Sequence, residues 1–134
     1  MTANSKRILL VDDSGSIRRM LEWMLKPLGF EIAHAVDGVD ALEQLRSGPA
    51  DLAIIDLNMP RLDGISLVRE IRTSDRWSEL PVIMMTTERR DEDVQKALDA
   101  GVNLYLVKPS TAAVVRYKVL SLLGLPPAGE EPSP

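Results

Sequence analysis

The chain contains no cysteine, one histidine and only 4% aromatic residues. The first absence excludes a disulfide framework, thiol catalysis and cysteine-bound zinc, and together with the single histidine it argues against zinc or copper altogether. So few aromatics require a core built from aliphatic side chains. Long hydrophobic runs are missing too: the earliest, Ile8-Leu9-Leu10-Val11, ends at Asp12-Asp13, too short for a signal-peptide core or a membrane span. A cytoplasmic protein without membrane insertion is therefore expected. No Lys/Arg run stands out, and 16 basic against 20 acidic residues give a net charge of −4, which speaks against direct nucleic-acid binding.

What is present fits one globular domain: 134 residues, 45% apolar and 27% charged. Four apolar runs, Ile8–Val11, Leu52–Ile55, Val82–Met85 and Leu104–Val107, have the length of strands buried on both faces. A fifth stretch, Glu31–Val36, alternates as an exposed edge strand does. Between them the apolar period becomes helical, at Ile17, Met20, Leu21, Met24, Leu25 and Leu28 with Gly29 as the stop, then at Val39, Leu42 and Leu45. Ile65, Val68 and Ile71 mark a third helix, Val94, Ala97, Leu98 and Gly101 a fourth, and Val115, Val119, Leu122 and Leu123 a fifth. The result is a (βα)5 pattern of the α/β class: a parallel sheet with right-handed crossovers and helices on both faces, a three-layer sandwich. Residues 7–124 form the expected domain, after a short N-terminal extension at 1–6. Residues 125–134 hold four of the nine prolines and read as a disordered tail.

In an open parallel sheet, residues just past the strand ends meet along one edge. Asp12 and Asp13 follow the first strand, Asp56 ends the third, Thr86 ends the fourth and Lys108 follows the fifth. Three carboxylates brought within several Å repel one another and call for a cation, and an all-oxygen set favours Mg²⁺. An aspartate beside Mg²⁺ and a lysine is suited to attack phosphorus, giving an aspartyl phosphate, and the Thr86 hydroxyl can contact the new phosphoryl oxygen.

These residues resemble the receiver family of two-component response regulators, in particular its stand-alone chemotaxis type. The resemblance runs from about Arg7 to Leu123 and rests on Val-Asp-Asp-Ser at 11–14, Asp-Leu-Asn-Met-Pro-Arg-Leu-Asp-Gly at 56–64, Met-Thr-Thr-Glu at 85–88 and Val-Lys-Pro at 107–109. It implies a flavodoxin-like sheet of order 2-1-3-4-5, an order for which chemotaxis regulators are a standing example. By the same resemblance Asp56 is the phosphoacceptor, Asp12 and Asp13 hold Mg²⁺, and Asn58 adds its backbone carbonyl. Lys108 grips the phosphoryl group, and Thr86 and Tyr105 form a coupled switch. Asn58, Thr87 and Glu88 tune dephosphorylation, and the bond matching Lys108-Pro109 is usually cis in the family, an isomer the sequence alone does not show. Thr87 stands where a small residue is usual, and Ser110 where an aromatic is common. The implied partners are a sensor histidine kinase or phosphotransfer protein as donor and a downstream protein target. A monomer is expected, with a dimer as the alternative.

Other functions fit less of the pattern. A Mg²⁺-dependent phosphohydrolase with an aspartyl-phosphate intermediate commonly has a second aspartate two residues after the nucleophile, where this chain has Asn58. An interaction module independent of phosphorylation has no need of the intact acid, lysine and threonine set. His34 reads as a surface or packing residue, Trp23 and Trp77 as packed on their own domain rather than as partner anchors, and Asp63 as a helix cap.

Overall fold

The computed structural model describes residues 6–108, 110–126 and 132. Most of the expected N-terminal extension, most of the Pro-rich tail and the Lys108-Pro109 bond lie outside the described residues. Five strands alternate with five helices: β1 Arg7–Val11, α1 Gly15–Leu25, β2 Glu31–Ala35, α2 Gly38–Ser47, β3 Leu52–Asp56, α3 Gly64–Thr73, β4 Val82–Thr86, α4 Asp91–Ala100, β5 Leu104–Val107 and α5 Ala112–Leu122. All pairings are parallel, in the order β2-β1-β3-β4-β5.

The strand period of two sorts the core into two layers. Leu9, Val11, Ala53, Ile55, Val82 and Met84 face α2, α3 and α4, where they meet Ala41, Leu45, Leu67, Val68, Ile71 and Ala97. Their neighbours Ile8, Leu10, Leu52, Ile54, Ile83 and Met85 face α1 and α5 and meet Leu21, Met24, Leu25, Val115 and Val119. Both central strands, β3 and β4, are buried at every residue.

Local chemistry sets the helix ends. Side chains of Ser14, Asp37, Asp63 and Thr111 each accept a backbone N–H from the first turn of α1, α2, α3 and α5. α4 has no side-chain cap but carries Asp91, Glu92 and Asp93 in its first turn, where the helix dipole favours acids. Pro27 cannot continue α1, so the chain passes through a short 3₁₀ turn, Lys26–Leu28, and reverses at Gly29 with φ 77°.

Three expectations need correction. β5 is the second edge strand, only partly buried and exposed at Val107, because the sheet order leaves it one neighbour. Val39 and Leu98 point outward; Ala41 and Ala97 fill the sheet-facing positions, and their small size lets the helices approach. Trp23 is 68% exposed on α1 rather than packed on the domain, whereas Trp77 does pack against the α2–α4 layer.

Candidate functional site

The strand ends bring the expected residues together. Asp12 directly follows β1, Asp56 closes β3, and Lys108 directly follows β5. A carboxylate oxygen from each of Asp12, Asp13 and Asp56 falls in one group spanning no more than 4.8 Å. Lys108 Nζ donates to Asp12 Oδ2 at 2.9 Å and to Asp56 Oδ1 at 3.0 Å. Asp12 and Asp56 are buried, Asp13 is exposed, and Thr86 is 1% exposed.

Backbone geometry holds each member. The β4–β5 ladder runs one residue further, with Lys108 N–H donating to the Thr86 carbonyl at 2.5 Å. The Asp12 N–H reaches the Ala35 carbonyl at 3.2 Å, its Oδ1 accepts the Ser14 N–H at 2.9 Å, and its carbonyl accepts from the Arg18 guanidinium. Behind Asp56, a Cβ on Gly64 would stand 2.4 Å from the Asp56 carbonyl oxygen, so only glycine lets α3 start this close to the end of β3.

Burial raises the Asp56 pKa; the Lys108 hydrogen bond opposes it, and the charges of Asp12 and Asp13 add to the rise. Burial alone would lower Lys108, but its hydrogen bonds to Asp12 and Asp56 outweigh it and the ammonium is held above its ordinary value. Three carboxylates against one ammonium leave an excess of two negative charges. A hard divalent cation fits this all-oxygen, acid-rich set, and Mg²⁺ is the ion that such sparse protein ligation suits.

Asn58 is exposed in the loop of residues 57–63, and Thr87 and Glu88 are exposed after β4. The Thr86 hydroxyl accepts the Glu88 N–H at 3.4 Å, and the Glu88 carboxylate is held by Arg90 at 3.2 Å. Tyr105 packs its ring against the α2–α4 layer, and its hydroxyl is buried without a hydrogen-bond partner. Thr86 is near enough to influence that hydroxyl, but the geometry of a hydrogen bond is not reached; burial, then Asp93, push the phenol pKa up. An open cleft lined by Leu57, Asn58, Asp63, Ile65, Arg69 and Lys96 flanks the acids rather than enclosing them.

Sequence reasoning missed two features near the site. Arg18 links its Nε to His34 Nδ1 at 3.2 Å, and His34 Nε2 meets Glu22 at 2.6 Å, so the lone histidine belongs to a chain ending at the Asp12 backbone. Arg61 pairs with buried Asp37 across 24 residues. Neither has a sequence signature, because both are contacts between elements that only the fold brings together.

A parallel five-stranded sheet with acids, threonine and lysine at its strand ends defines a receiver domain, and the chain belongs to that family: the profile of the response regulator receiver domain matches residues 8–119. Within the family it is similar to chemotaxis regulators. It is 44% identical to the chemotaxis protein CheY of Pseudomonas aeruginosa over 114 residues, covering 84% of this chain and 92% of that one. The solved structure of Vibrio cholerae CheY4 at low pH superposes with a TM-score of 0.81 at 34% identity, over 88% of this chain and 98% of that one. The receiver domain of the sensor histidine kinase PA1611 from P. aeruginosa, solved with a magnesium ion in its active-site cleft, gives 0.83 at 32% identity, over 90% and 98%.

Proposed function

We propose that this chain is a phosphorylation-driven switch, taking a phosphoryl group from a phosphohistidine on a sensor kinase or phosphotransfer protein onto Asp56 in a Mg²⁺-dependent reaction. The observation that carries the reading is the Lys108 ammonium bridging Asp12 and Asp56 at the ends of β1 and β3, with Asp13 completing the acid group. Asp12, Asp13, Asp56 and the Asn58 carbonyl would hold the ion, which when bound offsets charge on the transferring phosphoryl oxygens. The magnesium in the related PA1611 receiver supports the same ion here.

An Asp56 carboxylate oxygen attacks phosphorus; an O–P bond forms, the N–P bond to the donor imidazole breaks, and that imidazole takes up a proton. Lys108 supplies the fixed positive charge beside the acceptor oxygen. The Thr86 hydroxyl, which now accepts from Glu88, can turn to donate to the phosphoryl oxygen. The buried, unpaired Tyr105 hydroxyl lies beside it and makes the second half of a two-state element that a downstream protein reads on the surface.

Incubation with acetyl phosphate and Mg²⁺ should add one phosphoryl mass to the wild type. Uptake by Asp56→Asn, or none by the wild type, would overturn the assignment.

A further inference from the structure

The loop of residues 57–63 lies between the proposed acceptor and α3, and Asn58 is in its first half. Its base is closed by the Gly64 N–H on the Leu57 carbonyl at 3.0 Å. Its far side turns at Arg61, the only non-glycine residue with positive φ (68°) among the described residues. A left-handed arginine persists only where its surroundings hold it there.

Asp37 does the holding. Arg61 donates from Nε at 2.8 Å and from Nη2 to the same oxygen, Asp37 Oδ2. Asp37 is 5% exposed, and its other oxygen caps α2 by accepting the Asp40 N–H at 2.8 Å, so the anchor is fixed to a helix end. The next residue of the loop is pressed on the same helix: a Cβ on Gly38 would stand 2.7 Å from the Leu62 carbonyl oxygen. The loop is therefore pinned at 57/64 and at 61–62, and the peptide units of residues 58–60 span the two pins.

We infer that Asp37 and Arg61 are positioning residues for the phosphorylation site, setting the 57–63 loop so that the Asn58 carbonyl faces the cation held beside Asp56. This rests on the proposed function. Neither residue belongs to the acid group or the lysine bridge, so their effect passes through the loop backbone.

Two substitutions isolate it. Asp37→Asn keeps a residue that caps helices well and removes the charge that holds Arg61. Arg61→Gly removes the anchor while allowing the same positive φ. Charge alone predicts opposite outcomes for the two: losing Asp37 should weaken cation binding, whereas losing Arg61 should tighten it. Positioning predicts that both weaken it.

Calorimetric titration with MgCl₂ should show Kd raised three- to tenfold in each variant, with the double variant no worse than the poorer single. Phosphorylation by acetyl phosphate should return to the wild-type rate at saturating Mg²⁺, because the acceptor and Lys108 are untouched. Tighter Mg²⁺ binding by Arg61→Gly, or wild-type affinity in both variants with only the melting temperature lowered, would show that the pair merely braces the fold. A wild type that neither binds Mg²⁺ nor takes up phosphate sinks the proposed function itself and this inference with it.

Discussion

Burial, with two carboxylates nearby, holds the Asp56 pKa above its ordinary value, so its ionised form is disfavoured in the folded chain. An acid raised in this way gives its full stabilisation below the unfolded value of 3.8, and loses it as pH rises through the folded value. At neutral pH the charge is a net burden. Asp56→Asn should therefore abolish phosphorylation and raise the melting temperature in metal-free buffer, read by intact-protein mass and calorimetry; a lowered melting temperature would contradict the electrostatic account. Asp37 has the opposite sign: the Asp40 backbone hydrogen bond and Arg61 lower its pKa, so its contribution is present above 3.8 and lost as pH falls through the folded value. Lys108, raised, contributes below 10.5 and loses its contribution in alkali. Thr87 is exposed beside buried Thr86, and on the proposed function its branched side chain would crowd the approach of a hydrolytic water. Thr87→Ala should speed loss of the phosphoryl group about two- to tenfold, about 0.4 to 1.4 kcal/mol at the transition state, followed as decay of the phosphorylated mass in Mg²⁺. An unchanged or slower rate would place Thr87 away from the line of attack.

At the scale of elements, the side of the sheet away from the site depends on Arg72, at the end of α3. Its guanidinium donates twice to the Gly101 carbonyl, at 3.0 and 2.8 Å, to the Ser78 carbonyl at 3.2 Å, and to Asn103 Oδ1 at 3.0 Å. Asn103 in turn accepts the Val82 N–H at 2.8 Å, so one side chain ties α3 to the start of β4 and to the α4–β5 turn. Burial lowers the Arg72 pKa, the mark of a charge satisfied mainly by carbonyls. Arg72→Ala removes this donor from the Gly101 and Ser78 carbonyls and from Asn103, which keeps only the Val82 N–H, and should cost about 2–4 kcal/mol of unfolding free energy, measured by urea denaturation. A loss under about 0.5 kcal/mol would mean that water replaces the guanidinium. α5 is joined to α1 by a comparable link, Arg116 Nε to the Met24 carbonyl at 2.6 Å, which secures the two helices over the opposite face.

For the whole molecule, a cation bound at the acid group as proposed would be coupled to folding, because the unfolded chain does not assemble that group. At Mg²⁺ ten times above Kd the native state gains about 1.4 kcal/mol, which should raise the melting temperature by roughly 4–7 °C in a domain of this size. Asp13→Ala should lose most of that gain, since it removes a carboxylate of the group. Thr86→Ala should keep it, since the hydroxyl contacts the backbone rather than the acids. Equal Mg²⁺ responses in the two variants would refute that division of roles. No helix among the described residues is long and apolar enough to cross a membrane, in keeping with the short runs of the sequence.

The sequence by itself determined the element types and the site acids. Strand runs end in polar residues at Asp12, Asp56, Thr86 and Lys108, and a parallel sheet must carry such positions to one edge, so local pattern sufficed there. Edge and centre were decided only by the tertiary structure. Leu104–Val107 is as apolar as Val82–Met85, yet the first lies at a sheet edge and the second at its centre, because exposure depends on how many neighbours a strand finds. Trp23 and Leu98 are outward-facing for a related reason: Met24, Leu25 and Ala97 already fill the positions facing the sheet. The Asp37–Arg61 pair and the Arg72 network were equally beyond the sequence, since each joins residues far apart in the chain whose types are common on any surface. What makes them matter is burial and proximity, which are properties of the packed fold.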